Sequence, residues 1–234
     1  MQINLIKRIN SNNKNAKNIL IIGVFHGDEE AGEYLIKRYL NETTHAYGPR
    51  NGKTHQNNNA YYIPRLNTAK TRVNKNGVDL NRNFPTSNWG EFNQNSNDNK
   101  NSSKKSIILP VDNNNPDNYY EGPSPASEKE TKFIVNLMDK INFDAIITLH
   151  SPYKVVNYDG DNGGKALKLA ETISTITDYP VQKDIGYPTP GSFGTYAGVE
   201  RDIPTITIEM ADDIAPSKLY PKFKHLFEYL EYEY

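Results

Sequence analysis

The sequence predicts an α/β layer fold with a mainly parallel or mixed sheet. Two patterns carry that expectation. Mostly apolar runs of strand length recur at residues 19–24, 143–150 and 203–210, as expected of strands buried on both faces. Stretches with apolar residues at helical spacing lie between and after them, and such alternation is the signature of helices packed on a sheet. A chain of 234 residues suffices for one large α/β domain, with two small domains as the weaker alternative.

Residues 19–24 form the first strand. Residues 28–40 follow as a helix, with Ala31, Tyr34, Leu35 and Tyr39 near helical spacing and Asp28, Glu29 and Glu30 at its start, where the helix dipole favours acids. Residues 60–65 are a short strand. Ser127 and Glu130 fit a capping box, and the helix behind it carries Phe133, Ile134, Leu137 and Met138 on one face. Residues 143–150 are the next buried strand. Residues 164–177 are helical through Leu167, Leu169, Ala170 and Ile173, and residues 203–210 make a strand rich in β-branched side chains. Residues 217–233 form a terminal amphipathic helix on Leu219, Phe223, Leu226, Phe227 and Leu230. Asparagine clusters at 12–18, 57–59 and 93–118; the last cluster reads as an extended polar loop over about 88–120, broken by the apolar piece 107–111. Long loops in compact domains are usually functional or mobile.

Composition narrows the function. Apolar residues make up 36% and charged residues 24%, which excludes a wholly disordered chain. Twenty-seven basic against 28 acidic residues leave a net charge of −1, so overall charge gives no support to nucleic-acid binding. Cysteine is absent, which excludes disulfides, thiolate metal sites and cysteine nucleophiles. Any transition metal must then be held by His, Asp or Glu. No apolar run approaches the roughly 20 residues needed to span a bilayer, and the first residues lack the apolar stretch of a secretory signal. The expected compartment is the cytoplasm.

Five places can carry chemistry. His26-Gly27-Asp28-Glu29 lies where a strand ends and a helix begins, the end of an open α/β sheet at which ligands bind. A His and a carboxylate three apart can converge on one ion there, with Gly27 permitting a tight turn; read alone, the motif also fits a loop histidine beside helix-capping acids. His150 closes the strand FDAIITLH at the same mouth. His26, Glu29 and His150 together make a His₂Glu set, a known complement for catalytic zinc that leaves a position open. His45, His55 and His225 read as surface residues. In GVDLNRNFP, Asn81 and Arg82 offer an amide and a guanidinium fork to one anion, and Arg72 ten positions earlier is a second fixed cation. Glu209, in TITIEM, is an acid within an apolar strand, which is costly unless paired or functional. Tyr187, in the loop GYPTPGSFG that leads into a helix, is placed either to close over a substrate or to pack with its hydroxyl in water.

In order, HGDEE, GVDLNRNFP, LHSP and TIEM resemble the zinc carboxypeptidase family of metallopeptidases, over roughly residues 19–212. EGPSPASEKET and GYPTPGSFGTYAG narrow the resemblance to the murein peptide amidase group, the γ-D-glutamyl-meso-diaminopimelate peptidases. The resemblance implies a single domain over 1–234, with a central mixed sheet flanked by helices. It implies one zinc ion on His26, Glu29 and His150, and Glu209 as general base. It implies Asn81 and Arg82 as the grip on the substrate carboxylate, Arg72 as the group that polarises the scissile carbonyl, and Tyr187 as a substrate-covering residue. The implied reaction is zinc-dependent cleavage of the γ-D-Glu–meso-diaminopimelate amide bond of murein tripeptide in peptidoglycan recycling. A general peptide carboxypeptidase and an N-acyl amino acid deacylase are the enzyme alternatives, and an inactive peptide-binding module is the alternative of another class. The expected partner is a small peptide with a free carboxylate; neither nucleic acid nor membrane is expected, and a homodimer stays open. The chain departs from many relatives in one place, with Leu66-Asn67-Thr68-Ala69-Lys70 where they read Leu-Asn-Pro-Asp-Gly.

Overall fold

The computed structural model describes residues 3–10, 12–46, 56–91, 119–183 and 185–234. Residues 92–118 of the Asn-rich loop, His55 and the His45 side chain lie outside the described part; His225 is exposed.

Among the described residues, seven strands form one mixed sheet. They are β1 (Ile6–Arg8), β2 (Asn18–Ile22), β3 (Asn59–Ile63), β4 (Ala145–His150), β5 (Val155–Asp159), β6 (Val181–Gln182) and β7 (Thr205–Glu209). Their order across the sheet is β1-β3-β2-β4-β7-β5-β6. β3, β2, β4 and β7 run parallel to one another, whereas β1 pairs antiparallel with β3 and β5 antiparallel with β7, and β6 runs parallel to β5. The helices are α1 (Ala31–Ala46), α2 (Lys129–Met138), α3 (Lys165–Thr177) and α4 (Pro216–Tyr232).

The central strands are apolar on both faces because both faces are covered. One side packs Ile19, Ile21, Ile147 and Ile208 against Leu35 and Tyr39 of α1, Leu169 and Ile173 of α3, and Phe223 and Phe227 of α4. The other packs Leu20, Ile22 and Ile146 against Ile134, Leu137 and Met138 of α2, with Phe84, Phe193 and Tyr196. Each side chain buried in this way contributes roughly 1.5–3 kcal/mol. Tyr34 and Leu167, expected on apolar helix faces, are instead exposed. The short strands β1, β5 and β6 are absent from the sequence expectation because segments of two to five residues carry too little periodicity.

The capping box at Ser127 does not form. The residue capping α2 is Glu128, with no side-chain cap hydrogen bond. The Ser127 hydroxyl is drawn away: it donates to Glu128 at 2.8 Å and accepts from Asn83 Nδ2 at 2.9 Å. Asn83 uses that contact to tie the loop before α2 to the segment 80–84, which faces the mouth of the sheet.

Candidate functional site

The parallel strands end together. β4 closes on His150 and β7 on Glu209, and the two residues are register partners. β2 ends at Ile22, and the chain turns through a short loop that delivers His26 and then Glu29 before α1 starts at Ala31. Gly27 is what lets this loop lie against its neighbour. A Cβ there would stand 2.3 Å from the Ala69 carbonyl oxygen and 2.6 Å from that of Thr71. Its N–H donates to the Thr71 carbonyl at 2.9 Å. Close backbone approach, rather than a tight turn, is the reason for glycine.

His26 Nδ1 lies 2.7 Å from one Glu29 oxygen, and His150 Nδ1 lies 3.0 Å from the other. The two Nδ1 atoms are 3.3 Å apart. Two imidazole nitrogens on a tetrahedral zinc, at about 2.0–2.1 Å each, stand roughly 3.3–3.4 Å apart. The three residues therefore already aim their ligand atoms at one point, and among the described residues they form the group able to hold a metal ion. Burial pulls the His26 imidazole down, but the Glu29 and Asp79 carboxylates override it and raise it to about 9. Burial likewise opposes the Glu29 charge, and His26 and His150 more than offset it, so its carboxyl sits well below the usual range.

Asp79 is the residue that sequence reasoning passed over. It is fully buried. One oxygen lies 3.2 Å from His26 Nε2 and accepts the Asn81 backbone N–H at 2.8 Å; the other accepts from Arg72 Nη2 at 3.1 Å. A carboxylate on the far nitrogen of a ligating histidine fixes ring orientation and tautomer. One side chain thus sets His26, Arg72 and the turn bearing Asn81. The available signal was an acid inside GVDLNRNFP, two positions before Asn81.

The unusual stretch 66–70 is held by two side chains. Arg65 Nη1 donates to the carbonyls of Gly27, Asn67 and Ala69 at 3.2–3.4 Å, and its guanidinium also pairs with Glu30 and Glu33. Asn67, fully buried, accepts from the Ala69 N–H at 2.9 Å and donates to the Arg72 carbonyl at 3.0 Å. The turn needs no proline or glycine, because these bonds close it and deliver Arg72 to the site. Burial opposes the Arg72 charge, but Asp79 and Glu29 more than compensate and raise its pKa.

Glu209 lies beside the cluster and is only 7% exposed, yet its Oε2 has no hydrogen-bond partner. Burial raises its pKa, against the pull of His150 and His26. Asn81 Oδ1 accepts the Phe193 N–H at 2.9 Å, which fixes the amide so that Nδ2 is the group left to donate. Arg82 Nη1 donates to the Asn81 carbonyl at 2.7 Å. The Tyr119 ring lies under both guanidinium groups, 4.8 Å from Arg72 and 5.7 Å from Arg82. Tyr187 is partly buried and burial pushes its phenol up to about 12. His26, Glu29, Arg72, Asn81, Arg82, His150, Tyr187 and Glu209, the residues expected to carry the chemistry, all line one cleft.

An α/β sheet whose strand mouths present two histidines and a glutamate to one point, with a buried carboxylate that keeps one bare oxygen alongside, has the make-up of a mononuclear zinc hydrolase site. The zinc carboxypeptidase family model matches residues 2–231, and the chain belongs to that family. Murein peptide amidase A of Escherichia coli strain K12 is 30% identical over 138 residues, covering 59% of this chain and 50% of that protein. The Vibrio campbellii protein of the same name is 29% identical over 147 residues, covering 63% and 53%. The chain thus spans about half the length of the curated relatives it matches. The crystal structure of a murein-tripeptide amidase from Escherichia coli O157 superposes with a TM-score of 0.67 at 22% identity, covering 94% of this chain and 83% of that one, and so shares the fold.

Proposed function

We propose that this chain is a zinc-dependent amidohydrolase of carboxypeptidase type that cleaves the γ-D-Glu–meso-diaminopimelate bond of murein tripeptide. The observation that carries the reaction class is the bare Oε2 of Glu209 beside the converging His26, Glu29 and His150. A buried carboxylate oxygen without a donor is costly, and a water held next to the metal ligands is the partner it lacks. Zinc on the three ligands would polarise the scissile carbonyl and acidify a bound water. Glu209 takes the water proton and passes it to the leaving amine. Its raised pKa makes it a stronger base than a free carboxylate. Arg72, held by Asp79, stabilises the negative charge that develops on the carbonyl oxygen. Asn81 and Arg82 hold the terminal carboxylate and so fix the distance to the scissile bond. Tyr187 lines the cleft and covers the bound peptide.

The name of the two relatives supports the choice of substrate. We further propose that residues 1–234 act as one catalytic domain. A cytoplasmic location suits the degradation of recycled wall peptides, and among the described residues no helix is long and apolar enough to cross a membrane. Product analysis by mass spectrometry on L-Ala-γ-D-Glu-meso-diaminopimelate and matched α-linked L-peptides tests the reading. Release of diaminopimelate is expected from the first, with far slower cleavage of the others. Equal rates on all would replace the wall assignment with a general carboxypeptidase.

A further inference from the structure

Two cations share one aromatic ring beside the metal ligands. Tyr119 follows directly on the Asn-rich stretch of the sequence. Its ring centroid lies 4.8 Å from the Arg72 guanidinium and 5.7 Å from that of Arg82. Both distances fall inside the roughly 6 Å over which a ring face attracts a cation. The backbone behind the ring is pinned to the turn that bears Asn81 and Arg82. The Tyr120 carbonyl accepts the Asp79 N–H at 2.8 Å, and the Glu121 carbonyl accepts from Asn83 Nδ2 at 2.8 Å. Residues 79–83 therefore carry Arg82 and also hold the segment that presents the ring to it. Among the described residues that line the cleft are both arginines but not Tyr119, so the ring reaches the chemistry through the arginines.

Two like charges in one site repel, and Asp79 feels both. Burial opposes its charge, but Arg72, His26 and Arg82 hold its carboxyl well below the usual range. The two arginines are not anchored alike. Arg72 Nη2 donates to the Asp79 carboxylate at 3.1 Å, a charge-assisted bond. Arg82 Nη1 donates to the neutral Asn81 carbonyl at 2.7 Å. Arg82 is also only 1% exposed, and a charge so buried needs compensation. A ring face attracts the flat of a guanidinium and takes none of its N–H groups, which lie in the plane. The edge of the fork is left for a carboxylate.

We propose that Tyr119 is a positioning residue for the substrate carboxylate: its ring holds the Arg82 guanidinium in place against the charge of Arg72. This rests on the cleavage reading above, in which Arg82 and Asn81 hold the terminal carboxylate of the peptide. It assigns the ring to binding rather than to the chemical step, because Arg72 keeps Asp79 as an anchor when the ring is removed.

The test uses the zinc-loaded full chain, as wild type, Tyr119→Leu, Tyr119→Met, Tyr119→Phe, Arg82→Ala and the Tyr119→Leu, Arg82→Ala double variant. Leucine and methionine keep apolar bulk without a ring face; phenylalanine keeps the face. KM and kcat are measured on L-Ala-γ-D-Glu-meso-diaminopimelate, binding of free meso-diaminopimelate by calorimetry, and folding by thermal melting. Two ring-free variants are used so that a folding defect in one does not decide the outcome. Both should raise KM and the Kd of meso-diaminopimelate about tenfold, with kcat changed by less than about threefold. Tyr119→Phe should recover most of that loss. In the Arg82→Ala background, Tyr119→Leu should lower kcat/KM by less than about twofold, because the group it positions is gone. The assignment is overturned if the ring-free variants match wild type, or if Tyr119→Phe falls as far as they do. A loss confined to kcat, or a full tenfold loss on top of Arg82→Ala, overturns it as well. If no peptide is cleaved, yet meso-diaminopimelate binding weakens without the ring and recovers in Tyr119→Phe, the cleavage reading fails and the positioning role stands.

Discussion

Two buried glutamates are treated in opposite ways. Glu231, near the end of α4, is fully buried. It accepts from Tyr62 at 2.7 Å and Tyr39 at 3.0 Å, and Arg8 lies 3.4 Å away. Burial raises its pKa, against the pull of Arg8 and the two tyrosines. Those contacts join β1, β3, α1 and α4. Glu209 is almost as buried but keeps one oxygen bare. Both carboxylates bear the desolvation cost; only the first is compensated within the fold. Satisfied polar groups fix a structure, and an unsatisfied one in a cleft indicates what it is built to meet.

The contrast can be broken from either side. Glu231→Ala should have the largest effect. It leaves two tyrosine hydroxyls and a partly buried guanidinium without their acceptor, and should cost roughly 3–5 kcal/mol of stability, read by urea unfolding. Preserved stability would make the network decorative. Glu209→Gln should do the reverse. Turnover should fall about 10²-fold or more, about 2.7 kcal/mol of activation free energy, with the melting temperature unchanged or raised and zinc retained. A variant with near-normal kcat would place the base elsewhere.

Asp79→Asn sharpens the comparison at the metal ligands. The amide cannot hold His26 and Arg72 as the carboxylate does, and zinc affinity should weaken about 10- to 100-fold, measured by competition with a chelator. Unchanged affinity would show that Asp79 serves Arg72 and the Asn81 turn but not the metal ligands. Tyr62→Phe is the mildest test. It removes one of the donors to Glu231 and should cost about 1–2 kcal/mol, with no change in activity per folded molecule. A loss of kcat instead would mean that the two glutamate sites are coupled.

Sequence alone determined the parts. Apolar runs and helical spacing placed β2, β3, β4, β7 and the helices to within a few residues, except that α1 runs on to Ala46 where the pattern ended at residue 40, because those patterns reflect burial of each segment's own side chains. The set of His26, Glu29, His150, Arg82 and Glu209 was legible through its order along the chain, each a polar residue at a strand end or in a motif, and the structure brings all five to one cleft. Tertiary structure decided the rest. Ser127 reads locally as a cap, yet Asn83, 44 positions away in the chain, takes its hydroxyl. Asp79 and Asn67 look like ordinary turn residues until the loops they tie together are seen. Asp159 is one acid among 28 until the antiparallel pairing of β5 with β7 puts it on the face of Glu209. Periodicity records a segment's own environment; which groups meet, and which are left without a partner, depends on the pairing of strands distant in sequence, and that no local pattern encodes.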